Sequence, residues 1–184
     1  MFSRRNERKP AATRAAGARY ERLHRFLEDA QTFDGVDPED VPGMHSRIRA
    51  DERVFLCVQG ASLIAPPGDA GTPLPRTIDQ GELVVTTARA VFTGTKQIRQ
   101  WSWTQLVDID HADRGPWTSI RVSDRVRTFG VLYDTDHQDE IRFNIELAVA
   151  VAQGKRDALI HLLSDELRAM QVGTHLSPDA SVIV

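Results

Sequence analysis

The chain has a single cysteine, Cys57, among 184 residues. No internal disulfide can form, so a small fold stapled by cross-links is excluded. Cys57 stands inside an apolar run and is expected to be a small hydrophobe rather than a reactive thiol. No apolar run approaches the roughly 20 residues of a membrane-spanning helix. The N-terminal residues lack the apolar stretch of a signal peptide, and the expected location is the cytoplasm. Positive charge is not in excess: 23 Lys and Arg against 26 Asp and Glu leave −3, which argues against a dedicated nucleic-acid binder. Catalytic signatures are missing as well. There is no Gly-x-Ser-x-Gly, no His-Glu-x-x-His and no Gly-x-Gly-x-x-Gly, and no Gly-Lys-Ser/Thr follows Gly68 and Gly71. Neither an enzyme nor a bound cofactor is expected.

What is present is organised around Gly81 to Ser102. Leu83–Thr86 and Ala90–Thr93 are rich in β-branched and aromatic residues and read as a hairpin turning at Thr87–Arg89. Gln97–Trp103 follows as a polar strand ending in tryptophans, with Trp101 and Trp103 on one face. Before the hairpin, Arg53–Ala65 reads as a long strand, apolar on both sides, with Gly60 as a bulge. Residues 66–81 hold four prolines and three glycines and read as a long loop. After it come strands at Leu106–Asp110, Trp117–Val122 and Val126–Tyr133, and a last one at Glu140–Ile145 with Ile141, Phe143 and Ile145 on one side.

The two ends of the chain change period. Residues 1–17 are a basic arm expected to be disordered. Residues 18–33 read as a helix with Tyr20, Leu23, Leu27 and Ala30 on one stripe and Arg19, Arg22 and Arg25 opposite. Residues 34–51 are an acidic linker, with a short helical turn within 44–52. Residues 155–171 carry Leu159, Leu162, Leu163, Leu167 and Met170 along an amphipathic helix, joined at Gly154 to the segment before it. Residues 172–184 read as a flexible tail.

Candidate chemistry is sparse. Asp108, Asp110, His111 and Asp113 form the densest polar cluster, and carboxylates with imidazole can hold a divalent metal. A strand running into a solvated turn gives the same composition, so no metal is expected. Trp101, Trp103 and Trp117 could offer a stacking platform or serve the core. Lys96, Arg99, Arg114, Arg121, Arg125 and Arg127 could form a basic patch or an ordinary solvated sheet face.

Seven or eight antiparallel strands followed by an amphipathic helix suggest a small, partly open barrel capped by that helix. At residues 52–171 the sequence resembles the pleckstrin-homology-like superfamily, in its GRAM and bacterial PH-like branch. The stretch Gly81-Glu-Leu-Val-Val-Thr-Thr-Ala-Arg-Ala-Val-Phe is similar to that branch's Gly-x-Leu-x-x-Thr-x-x-Arg-h-h-h, where h is apolar. Trp101-Ser-Trp-Thr-Gln-Leu-Val-Asp-Ile is similar to the aromatic-x-x-h-x-x-h segment that follows. The resemblance implies a binding or scaffolding module without catalysis. Lipid-binding relatives hold the headgroup with several Lys and Arg between the first two strands; here residues 66–80 offer only Arg76 beside two aspartates. An anion would therefore be sought at Lys96, Arg99 and the N-terminal arm.

Two readings of function follow. In the first, the chain binds another protein or a second copy of itself, with Trp101 and Trp103 as candidate partner contacts. In the second, it sits peripherally at the inner face of the membrane, and the arm with Arg19, Arg22 and Arg25 meets anionic lipid. A metal-dependent enzyme built on Asp108, Asp110 and His111 is a distant third.

Overall fold

The computed structural model describes residues 8–44, 46–65, 75–113, 115–124 and 128–175. They fall into two compact units. One is Asp34–Lys155; the other holds the described residues of 1–33 and 156–184.

The first unit is a seven-stranded antiparallel sheet followed by a helix. The strands are β1 (Val54–Ala65), β2 (Arg76–Thr86), β3 (Arg89–Gly94), β4 (Ile98–Ser102), β5 (Leu106–His111), β6 (Trp117–Val122) and β7 (Phe129–Leu132). They lie in the order β4-β3-β2-β1-β7-β6-β5, which leaves β4 and β5 as the two edges. The sheet curls far enough that the Arg99 guanidinium of β4 lies 4.4 Å from the centre of the Phe129 ring on β7. This is the expected mainly-β, partly open architecture, but the helix that lies against the sheet is Gln138–Ala152 and not the amphipathic helix expected at 155–171, which belongs to the other unit.

The interior is made by Leu63, Ile64, Leu83, Val85, Phe92, Ile120 and Val131, all buried. The register of β1 on β2 slips between Val58 and Ala61, at the bulge expected for Gly60. Gly81 sits opposite Gly94 in the β2–β3 pair. A Cβ on Gly94 would come within 2.2 Å of the Asp79 carboxylate, so the close approach there requires glycine.

Several expectations are corrected. Glu140–Ile145 is not a strand but the first half of α2 (Gln138–Ala152). Ile141, Ile145 and Ala148 form a helical stripe with Phe143, Leu147 and Ala150 beside it, all buried. A helix buried around so wide a face shows apolar residues at i and i+2 as well as at i and i+4, and the short alternation imitated a strand. Asp139 and Glu140 in its first turn favour the helix start. α2 lies against β1 and β2. The helical region after the last strand is thus two helices, α2 and α3 (Arg156–His175), meeting at Gly154. Gly154 has φ 67°, and the N–H groups of Gly154 and Lys155 bond back to Val151 and Ala150.

The long loop is also shorter than expected. Residues 76–81 pair with β1, with Ala65 opposite Arg76 and Leu63 opposite Asp79; pairing with a long partner strand overrides the glycine signal. Residues 66–74 lie outside the described residues, as do 1–7, 176–184, Arg114 and Arg125–Arg127. Of the strand expected at Val126–Tyr133, Phe129–Leu132 is observed as β7. Trp103 leaves the strand and opens a tight turn, Trp103–Gln105. Residues 46–52 are an irregular turn closed by Glu52 N–H on the Arg49 carbonyl, rather than a helical one.

The second unit is a helix pair. α1 runs Arg8–Thr32, so residues 8–17 of the expected disordered arm are helical. Alanine-rich sequence propagates a helix well. Arg19 pairs with Glu166, the Gln171 amide donates to the Tyr20 hydroxyl at 2.8 Å, and Arg156 donates to the Phe33 carbonyl. These ties set an antiparallel register in which Leu23 comes level with Leu167, both buried. Among the described residues no helix is long and apolar enough to cross a membrane.

Candidate binding surface

The residues singled out from sequence are not brought together. Trp101 and Trp103 are 1% and 2% exposed, so neither ring offers a face to a base or a partner. Trp103 Nε1–H donates to the Thr86 carbonyl at 2.8 Å, which fixes the indole inside. Lys96 is exposed on the β3–β4 turn, while Arg99 is half-buried, bonded to Gln97 and stacked on Phe129. Arg121 pairs with Asp108 at 3.5 Å. Arg19, Arg22 and Arg25 are on α1, in the other unit. The apolar stripe of α1 faces a packed neighbour, since α1 and α3 form the helix pair. An amphipathic helix needs that stripe to enter a bilayer.

The resemblance-bearing hairpin is built on buried acids that sequence reasoning passed over. Thr86 Oγ1 donates to Glu52 at 2.7 Å and accepts from the N–H groups of Ala88 and Arg89. Arg89 closes the cluster with an ion pair to Glu52 at 2.9 Å. Thr86 and Arg89 are thus the turn's own anchors. Four residues earlier on β2, Glu82 is buried and accepts from the Ser46 N–H at 2.7 Å, the Ser46 hydroxyl, the Gln59 amide and the Cys57 thiol. Burial, then the Glu82 charge beside it, pushes the Cys57 thiol up to about 11. Asp79 accepts from Gln80, Lys96 and Gln97 N–H groups and from the Thr95 hydroxyl. Burial alone would raise this carboxyl, yet those four bonds hold it down at about 2. An acid next to an apolar strand residue was the available signal for Asp79, beside Ile78, and Glu82, beside Leu83; Glu52, between Asp51 and Arg53, offered none.

The edge strand β5 is different. Its residues Val107, Asp108 and Asp110 are exposed, Val107 at 53%. It pairs with β6 on one side and terminates the sheet on the other. Its C-terminal end is tied down by a polar chain. Arg142 Nε lies 3.3 Å from the Tyr133 hydroxyl, which lies 2.8 Å from Thr118 Oγ1. Thr118 is 2.7 Å from His111 Nδ1, and His111 Nε2 is 3.1 Å from Glu146. Arg142 can only donate and a carboxylate can only accept. With neutral His111, every group is satisfied when donation runs from Arg142 through Tyr133, Thr118 and His111 to Glu146. Arg142 also donates to the carbonyls of Ala112 and Gly115, at 2.6 and 2.8 Å. α2 therefore holds the β5–β6 turn by two side chains one helical turn apart. Tyr133, Arg142 and Glu146 gave no local sequence signal, because the chain joins elements distant in sequence. Among the described residues no cluster of His, Cys, Asp and Glu is placed to hold a metal ion; Asp108 faces Arg121 and His111 faces Glu146 instead.

No protein-family model matches the sequence, and no curated protein matches it. The solved structures similar to it in part include two of low identity. One is the Ran-binding domain of the nuclear complex component Nup2 from Ashbya gossypii, 19% identical, covering 57% of this chain and 97% of that one, with a TM-score of 0.41. The other is the C-terminal domain of an unknown protein from Leishmania infantum, 12% identical, covering 53% of this chain and 84% of that one, with a TM-score of 0.38.

Proposed function

We propose that the chain is a non-enzymatic, PH-like binding module of the cytoplasm that takes an extended, basic segment of a partner protein along β5. The observation that carries this reading is the outer edge of β5. An edge strand presents unpaired backbone N–H and C=O groups, and an extended peptide satisfies them by adding a strand. Natural edges are commonly blunted by lysines. β5 carries an exposed valine between Leu106 and two exposed aspartates, Asp108 and Asp110, with Asp113 in the turn beyond. Those acids favour a segment bearing Lys or Arg at alternate positions. The polar chain from Arg142 to Glu146 holds the strand end fixed, so little order is lost on binding. The pattern Gly81–Phe92 supports placing the module with GRAM-like domains, and its Thr86 and Arg89 serve the hairpin rather than a ligand.

The test is selection from a displayed library of random extended peptides, followed by amide hydrogen exchange on the complex. Enriched peptides should carry alternating Lys or Arg, slow exchange at residues 106–111, and be lost with Asp108→Lys/Asp110→Lys. Selection that enriches nothing, or peptides that protect amides elsewhere, would overturn the proposal.

A further inference from the structure

We infer that α3 carries a self-complementary surface for a second copy of this chain. Of the large apolar side chains exposed among the described residues, Leu162 at 64% and Val172 at 55% are both on α3. They belong to a stripe of exposed residues: Ala158, Leu162, Asp165, Ala169 and Val172. The spacing alternates between four and three, the seven-residue pattern by which two helices keep one seam in contact. The stripe is separate from the buried side of α3, where Leu163 and Leu167 lie. The helix pair formed with α1 therefore leaves it open.

Charge decides what covers it. Asp165 sits in the middle of the stripe, and Arg168 flanks it, 2.7 Å away within the same helix. An isologous contact requires that a residue and its partner exchange roles across the two-fold axis. If two copies of α3 run antiparallel, centred near Leu167, Leu162 of one meets Val172 of the other. Ala169 then faces Asp165 and leaves it room, and Asp165 comes beside Arg168 of the opposite helix. Each contact occurs twice. A parallel pair would instead set Asp165 against Asp165, a like-charge contact that costs stability. The stripe is short and its large side chains few, so the dimer is weak and concentration-dependent. The inference stands on unit-internal features of α3 and does not rest on peptide capture by β5.

The experiment is sedimentation of the full chain from micromolar to millimolar concentration, with charge-swapped variants. The wild type should pass from monomer to dimer across that range. Leu162→Asp should stay monomeric while its circular dichroism and melting curve match the wild type, because the site is exposed. Asp165→Arg alone and Arg168→Asp alone should each dimerise at least tenfold more weakly. Mixed together, these two variants should form a heterodimer, since each then supplies the charge the other lacks. A wild type that stays monomeric throughout would overturn the inference. So would a dimer indifferent to Leu162→Asp, or two charge variants that fail to associate when mixed.

Discussion

On β2, Asp79 and Glu82 are buried, and each carboxylate collects at least four donors from the chain around it. On β5, Asp108 and Asp110 face water, and Asp108 pairs loosely with Arg121. The same residue class thus does opposite work on two strands of one sheet. In the interior an acid replaces water as the acceptor for backbone and side-chain donors that loops must bury. At the edge an acid stays hydrated and repels or attracts whatever approaches. The difference comes from position in the strand order, since β2 has neighbours on both sides and β5 on one.

Removing an interior acid should have the largest effect. Glu82→Ala leaves the Ser46 N–H and the Gln59 amide without their buried acceptor. A loss of about 3 kcal/mol is expected in urea unfolding. A loss below about 1 kcal/mol would mean that the donors find water instead.

Acid titration comes next. The folded Asp79 carboxyl lies at about 2, below its ordinary 3.8. A depressed folded value contributes stability that is complete above the ordinary value and lost as pH falls from there through about 2. Melting temperatures of the wild type should therefore fall across that window, and those of Asp79→Asn should fall less. Parallel curves would remove Asp79 from its place as the anchor of the β3–β4 turn.

A smaller effect on stability, but a sensitive probe of the interior, is thiol reactivity. With Cys57 at about 11 instead of 9.0, its thiolate at mildly alkaline pH is roughly a hundredfold scarcer than for an unperturbed thiol. Ellman's reagent should react slowly with the native chain and fast once it is unfolded. Glu82→Gln should speed the native reaction by removing the adjacent charge.

The smallest change is expected at the edge. Asp110→Asn should alter unfolding by no more than about 0.5 kcal/mol. A larger loss would show that β5 acids serve the fold after all, and would remove the contrast with β2.

The strands that were legible in the sequence are those whose neighbours are also close in the chain. The β2–β3 hairpin, β6 and the bulge at Gly60 announce themselves through local alternation and turn residues. α2 did not, because burial on most sides erased the period that distinguishes a helix from a strand. The tryptophans were legible as large apolar residues, but whether they faced in or out depends on the turn Trp103–Gln105 folding back on Thr86. The edge position of β5 is a property of the whole strand order and is written in no single segment.

The helix pair is assembled from both ends of the chain, α1 before the sheet unit and α3 after it. During synthesis α1 emerges first, and its partner is not made until all of Asp34–Lys155 has been translated. Leu23 and its neighbours must wait in contact with solvent or a chaperone for that whole interval, while the sheet unit can close on itself. The last event of folding is then the meeting of the two ends, a closure of high sequence separation and correspondingly slow. Any truncation that removes one helix strands the other with its leucines exposed, so the two are gained or lost as one piece.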